Sequence, residues 1–242
     1  MPQRLPWLVA GDPFPPPDSA LDNPPGLVAA GADLTPDLLR AAYRLGIFPW
    51  YQPPDPVLWW SPDPRCVIAP DQFRPSKTLR QAMRRGGFRF STDRCFDAVI
   101  GACAEPRSYA DETWITPDIR AAYGALHRSG EAHSIEVWQE DALVGGLYGV
   151  SVGNLFCGES MFSRCSNASK LAFWALMCLC QAWRQPWVDC QLVNDHLLSL
   201  GAGPMPRNRW LAELETLAVQ PAPDWRQAED LLAAAGFASI DP

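Results

Sequence analysis

His133-Ser134-Ile135-Glu136-Val137-Trp138, Ala142-Leu143-Val144-Gly145-Gly146-Leu147-Tyr148-Gly149-Val150 and Leu155-Phe156-Cys157-Gly158-Glu159-Ser160 are the three runs that decide the fold. Each reads as a strand. Gln139-Glu140-Asp141 turns the first into the second, and Gly153-Asn154 turns the second into the third, so the three form an antiparallel meander. Asn167 then opens a long apolar helix to about residue 183, and 187–192 reads as a further strand. A meander, a helix and another strand make an α+β chain with a mixed sheet flanked by helices.

Working outward, 76–85 reads as a helix capped by Ser76, 88–91 as a short strand, and 95–103 and 117–128 as helices. Downstream, helices are expected near 195–200 and 207–217, and 220–242 reads as an appended helix with loose ends. The α/β alternation starts near residue 65. Before it lies a proline- and aromatic-rich section with one helix, 35–45, opened by Thr35-Pro36 and stopped at Gly46. Prolines flank Ile47-Phe48-Pro49-Trp50-Tyr51 and Leu58-Trp59-Trp60-Ser61-Pro62, so these aromatics are expected to line irregular walls. The expected organisation is a small N-terminal domain, 1–64, followed by a larger domain, 65–242.

Composition narrows the function. With 48% hydrophobic residues in 242, the chain can bury a sizeable core, which excludes wholesale disorder. Acids outnumber bases 27 to 20, for a net charge of −7. A protein that coats long nucleic acid should be basic, so only a short, local contact remains open to it. Met1-Pro2-Gln3-Arg4-Leu5-Pro6 lacks the basic-then-apolar run of a signal peptide, and the longest apolar run, 171–180, is about half of what a membrane helix needs. A cytoplasmic protein without membrane contact is expected. The 8 cysteines include no CxxC, and 3 histidines offer no zinc-like spacing, so the cysteines read as reduced, mostly buried small hydrophobes and no metal is expected.

Three constellations could carry chemistry. In the first, strand periodicity puts Asp189 and Gln191 on one face, near Glu159 from the third meander strand. This cluster either serves a reaction or satisfies its own hydrogen bonds and buttresses the fold. The second is basic: Lys77, Arg80 and Arg84 share a helix face, with Arg74, Arg85 and Arg89 close by. Such a face either meets phosphates or is simply solvated. The third is the aromatic set Trp50, Trp59, Trp60 and Trp114, which either stacks on a nucleobase, with roughly 1–3 kcal/mol at stake per base, or packs a core. The skeleton is similar to that of acetyl-CoA-dependent acyltransferases, whose helix is entered through a glycine-rich loop that holds the pyrophosphate. Here Phe162-Ser163-Arg164-Cys165-Ser166-Asn167-Ala168-Ser169-Lys170 contains no glycine, so a CoA site is not expected. GxSxG, HExxH and Walker motifs are also missing from the sequence.

Residues 26–207 resemble the leucyl/phenylalanyl-tRNA–protein transferases. The strings that carry the resemblance include Gly46-Ile47-Phe48-Pro49-Trp50, Leu58-Trp59-Trp60-Ser61-Pro62-Asp63-Pro64-Arg65, Thr113-Trp114-Ile115-Thr116, Gly145-Gly146-Leu147-Tyr148-Gly149-Val150, Gly158-Glu159-Ser160-Met161-Phe162-Ser163, Asn167-Ala168-Ser169-Lys170, Asp189-Cys190-Gln191 and Ser199-Leu200-Gly201-Ala202. Three positions depart from the family's pattern. Ala32 and Glu112 stand where glycines are usual, and Glu131 where histidine is frequent.

The resemblance implies an acetyltransferase (GNAT)-like C-terminal domain behind a small N-terminal one. It implies transfer of Leu, Phe or Met from aminoacyl-tRNA to the α-amine of proteins that begin with Arg or Lys, which marks them for degradation. No metal or organic cofactor is implied, and a monomer is expected. Asp189 and Gln191 would act as a pair at the attacking amine, with Glu159 facing the acceptor's cation or the transferred α-amine. Trp50 and Trp114 would hold the 3′-terminal adenosine. Leu147, Met161 and Phe173 would line the side-chain pocket, with Ser160, Phe162 and Asn194 completing the substrate site. Arg74, Lys77, Arg80, Arg84 and Arg85 would meet acceptor-stem phosphates. The chemistry is consistent: the ester is already activated, and an α-amine of pKa about 7.7–8.0 is partly neutral at physiological pH, so positioning should matter most. The competing expectations are a CoA-dependent N-acetyltransferase and a non-catalytic binder of tRNA ends or N-terminal peptides.

Overall fold

The computed structural model describes residues 4–106 and 113–240. Before residue 64 the chain builds a small sheet. It contains β1 (Trp7–Leu8), β2 (Leu27–Gly31), β3 (Phe48–Pro49) and β4 (Leu58–Trp60), in the order β1-β2-β4-β3, with helix α1 (Pro36–Arg44) between β2 and β3. β1 runs parallel to β2, and the other pairs are antiparallel. This corrects the expectation of irregular aromatic walls: Phe48 pairs with Trp60 and Pro49 with Trp59. Proline is tolerated because β3 is an edge strand. The Thr35 hydroxyl accepts from the Leu38 amide, and Gly46, at φ +71°, ends the helical turn in a conformation that favours glycine.

The remaining strands form a seven-stranded sheet. In chain order the elements are β5 (Arg65–Ile68), α2 (Lys77–Arg85), β6 (Phe88–Thr92), α3 (Phe96–Cys103), α4 (Pro117–Arg128), β7 (Ala132–Gln139), β8 (Ala142–Ser151), β9 (Phe156–Ser163), α5 (Ala168–Ala182), β10 (Val188–Gln191), α6 (Asp195–Ser199), β11 (Gly203–Met205), α7 (Arg207–Leu217) and α8 (Ala228–Ala234). The sheet order is β11-β5-β10-β9-β8-β7-β6. β7, β8 and β9 are the antiparallel meander read from the sequence, and β10 returns beside β9 in parallel after α5, so the mixed sheet flanked by helices is as expected. α5 packs closely on β8. A Cβ at Gly145 would lie 2.5 Å from that of Ala168, so this crossing needs glycine.

Asn167 opens α5 as expected, at φ +73° and without a side-chain cap, and Ser163 Oγ, from the end of β9, accepts the Ser169 amide. One local expectation changes, at the C-terminus. The segment there is docked rather than loose. Trp225 stacks on His133 at 4.2 Å, and the chain then runs along the edge of β6, with the Phe90 amide donating to the Ala238 carbonyl and the Ile240 amide to that of Phe90. Of the cysteines, Cys66, Cys103, Cys157, Cys180 and Cys190 are buried, as small hydrophobes should be. Among the described residues, no helix is long and apolar enough to cross a membrane.

Candidate active site

Parallel strands β9 and β10 pair only at Phe156–Val188 and Cys157–Asp189, although β9 runs on to Ser163. Beyond Cys157 the strands part, and a cavity of about 530 Å³ opens between them, a size suited to a small-molecule site. Gly158, Glu159, Ser160 and Met161 line one side, and Cys190, Gln191 and Leu192 the other. Leu147, Phe173 and Leu176 form its apolar wall, α6 contributes Leu197 and His196, and its N-cap Asn194 lines the rim. Phe48, Pro49 and Trp50 from the small sheet, together with Trp114, close the remaining side. The two tryptophans approach from separate segments that are tied together by a contact of the Tyr51 and Thr116 hydroxyls at 3.3 Å. Trp50 is 41% exposed, its ring edge-to-face with Trp60 at 5.7 Å.

Both polar residues at the parting of the strands sit at β-bulges, which re-aim side chains. In β9 the pairing jumps from Tyr148–Ser160 to Gly149–Gly158, which leaves Glu159 as the extra residue. In β10 it jumps from Asp189–Val67 to Gln191–Cys66. Gln191 adopts φ +55°, and the Leu192 amide donates to the Cys190 carbonyl across it at 2.8 Å, a γ-turn that carries backbone strain. Strict alternation would have put Asp189 and Gln191 on one face. Because of the bulge, Cys190 and Gln191 line the cavity while Asp189 lies behind its wall.

Asp189 is occupied on both oxygens. Arg65 Nε donates to its Oδ1 at 2.8 Å and Arg65 Nη2 to its Oδ2 at 2.6 Å, with each side chain only 1% exposed. The Gln191 amide donates to Oδ1 at 3.0 Å. Arg65 also donates from Nη1 to the Gly46 carbonyl at 2.9 Å and lies over the rings of Phe48 and Trp210. The ion pair therefore fastens the γ-turn to the small sheet and to α7.

Glu159 has no such partner. Gln191 Nε2 donates to its Oε1 at 2.9 Å and the Tyr123 hydroxyl to its Oε2 at 3.2 Å. Burial pushes its pKa up to about 7. The Asp189 charge acts in the same direction, whereas the Tyr43 and Tyr123 hydroxyls and the charge of Arg65 oppose it.

Of the residues expected to bind substrate, Trp50, Trp114, Leu147, Ser160, Met161, Phe173 and Asn194 line this cavity, and Glu159 and Gln191 do so among the expected catalytic residues. Phe162 does not. As the neighbour of Met161 on a strand it faces the opposite side of the sheet, with its ring against Gly146 and beneath Arg164. The basic residues Arg74, Lys77, Arg80, Arg84 and Arg85 lie outside the cavity and are exposed, on and just before α2. Phe73, edge-on to the cavity residue Phe173 at 5.6 Å, connects that helix to the wall. Arg74 curls back on the carbonyls of Asp71 and Phe73.

Comparison with known proteins matches residues 67–215 to the leucyl/phenylalanyl-tRNA protein transferase family and residues 32–63 to the N-terminal domain of the same transferases. A leucyl/phenylalanyl-tRNA–protein transferase from Bordetella avium is 49% identical over 232 residues, spanning 92% of this chain and 93% of that protein. One from Hahella chejuensis is 53% identical over 211 residues, 87% and 90% of the two chains. The chain belongs to the leucyl/phenylalanyl-tRNA–protein transferase family. It is an aminoacyltransferase that works between tRNA and protein. Among solved structures, a GCN5-related N-acetyltransferase from Kribbella flavida aligns over 71% of this chain and 61% of its own, at 10% identity and a TM-score of 0.34.

Two of the departures from the family's pattern have a structural setting. Ala32 adopts φ +57°, a conformation in which glycine is unstrained. Glu131, which does not line the cavity, accepts both Arg40 Nε and Nη2, at 2.6 and 2.7 Å. Glu112 lies outside the described residues. Arg65, Tyr43 and Tyr123 were missed by the sequence reading. Arg65 had one available signal, a charged residue opening the apolar run Cys66-Val67-Ile68.

Proposed function

We propose that this transferase moves Leu, Phe or Met from aminoacyl-tRNA to the α-amine of proteins beginning with Arg or Lys, and so marks them for degradation. The observation that supports this reading is the single cavity in which Trp50 and Trp114 meet Glu159 and Gln191. The tryptophans take the 3′-terminal adenosine. Leu147, Met161 and Phe173 accept the transferred side chain, a flexible apolar wall that suits several large residues, and Ser160 and Asn194 frame the reacting ester. Lys77, Arg80, Arg84 and Arg85, with Arg74 behind them, meet acceptor-stem phosphates without reading sequence. The chain acts in the cytoplasm as a monomer, with residues 1–64 as a small domain that supplies Trp50 and residues 65–242 as the domain of the chemistry.

The roles follow from the hydrogen bonds. A carboxylate only accepts, so Gln191 presents Nε2 to Glu159, and its Oε1 is the atom offered to the acceptor's ammonium. Glu159, with a pKa of about 7, takes the proton that the ammonium must lose before attack. The amine then forms a bond to the ester carbonyl carbon, the bond to the ribose oxygen breaks, and that oxygen is protonated, for a net release of one proton. Asp189, enclosed by Arg65, is a positioning residue that holds the Gln191 turn. The test is incubation of the protein with radiolabelled Leu-tRNA and an Arg-initiated polypeptide, without CoA. Label in the polypeptide is expected. Label that stays on tRNA, or transfer only when CoA is supplied, would overturn the proposal.

A further inference from the structure

Glu159 is reached from behind the cavity wall by two tyrosines that do not line it. Tyr43 stands on α1, on the apolar face it shares with Leu39 and Ala42, and Tyr123 stands on α4. Both are buried, with their rings edge-to-face at 6.4 Å. Their hydroxyls hydrogen-bond to each other, and that of Tyr123 donates to Glu159 Oε2 at 3.2 Å. The other carboxylate oxygen receives Gln191. Packing alone would be met by phenylalanine at either position. The hydroxyls converge instead on the one carboxylate that faces the cavity, and one of them comes from the N-terminal part of the chain.

We infer that Tyr43 and Tyr123 are positioning residues for aminoacyl transfer: their joined hydroxyls hold the Glu159 carboxylate where it meets Gln191 and the incoming amine. This rests on the reading of Glu159 as proton acceptor. The titratable and charged groups around that carboxylate are Tyr43 from α1, Tyr123 from α4, Arg65 from β5, Asp189 from β10 and Cys157 from β9. Tyr148 from β8, edge-on to Tyr123 at 5.8 Å, also lines the cavity, as do Cys190 and His196. The tyrosine hydrogen bonds and Arg65 favour the charged carboxylate, whereas burial and Asp189 oppose it. Loss of one hydroxyl therefore makes Glu159 hold its proton to higher pH.

The test is single-turnover transfer from Phe-tRNA to an Arg-initiated peptide as a function of pH, for the wild type, Tyr123→Phe and Tyr43→Phe. NMR titration of carboxyl-labelled glutamate, with Glu159→Gln to assign the resonance, is run alongside. The acceptor amine titrates equally in all three proteins, so differences between them report on Glu159. In Tyr123→Phe the acid limb and the Glu159 resonance are expected to move up together by about one pH unit, a tenfold change in proton affinity typical of one lost charge-assisted hydrogen bond. A move in the same direction is expected in Tyr43→Phe, and rates in both should recover in alkaline buffer. Limbs that stay in place, or a loss of rate that is the same at every pH, would overturn the inference. If one variant fails to fold, the other, on a different helix, decides the matter. A wild type that forms no labelled product would instead sink the reading of the activity on which the inference rests.

Discussion

The seven-stranded sheet carries two buried polar clusters, one on each side of the meander, and they differ in one respect. At β9 and β10, Arg65, Asp189, Gln191, Glu159 and two tyrosines tie the N-terminal part of the chain to the sheet. At β6 and β7, Ser91 and Ser134 donate to Glu136 at 2.6 and 2.5 Å, and Asp93 holds the His133 ring at 2.7 Å and the Ser134 amide at 2.8 Å. This second cluster ties down the C-terminal segment, through Trp225 stacked on His133 and Glu229 accepting the Thr92 amide. Burial raises the pKa of both glutamates. Only Glu159 faces a cavity. A raised pKa thus accompanies both a structural and a reactive carboxyl, and access distinguishes the two.

The largest effect is expected at the ion pair. Asp189→Asn leaves the Arg65 guanidinium buried without its counter-charge, and removing one partner of such a pair costs about 3–5 kcal/mol. Urea denaturation should show that loss, and transfer should fall with it as the Gln191 turn loosens. An unchanged midpoint would break the claim that this pair fastens the site. Glu159→Gln should do the reverse, lowering transfer by about a hundredfold or more while raising stability near neutral pH. The sign follows from the raised native pKa. Between the ordinary glutamate range and about 7 the native state holds more protons than the unfolded one, so stability falls as pH rises through that window. Glutamine removes the fall, worth up to about 3 kcal/mol, and pH-dependent melting of the two proteins measures it.

Much of this architecture was legible in the sequence because it rests on periodicity and capping. Strands β7 and β8, helices α4 and α7, and the Thr35 and Ser76 caps are local events. The small sheet was not legible. β2, Leu27–Gly31, is buried at every position and shows no alternation, and β3 and β4 are two and three residues long among prolines. At the site, residue types were visible but their aim was not. Glu159 and Gln191 are placed by bulges, Asp189 is drawn behind the wall by Arg65, 124 positions away, and Phe162 turns away because Met161 faces inward. Tyr43 and Tyr123 read as core because they are core, apart from one oxygen each.

The smallest effect is expected at Glu136, and it tests the comparison most directly. Its carboxyl is fully buried, accepts two serine hydroxyls, and is held above the usual glutamate range by burial. By the same linkage it lowers stability as pH rises above the ordinary glutamate pKa, so Glu136→Gln should flatten that slope. The amide keeps one acceptor for a serine, and its NH2 needs the other serine to rotate and accept, so the net change in stability should stay within about 1 kcal/mol. Transfer should be unaffected, because no substrate atom can reach a residue sealed between β6 and β8. If Glu136→Gln slowed single-turnover transfer as much as Glu159→Gln does, access would no longer separate the two clusters, and the second would have to be counted as part of the catalytic apparatus.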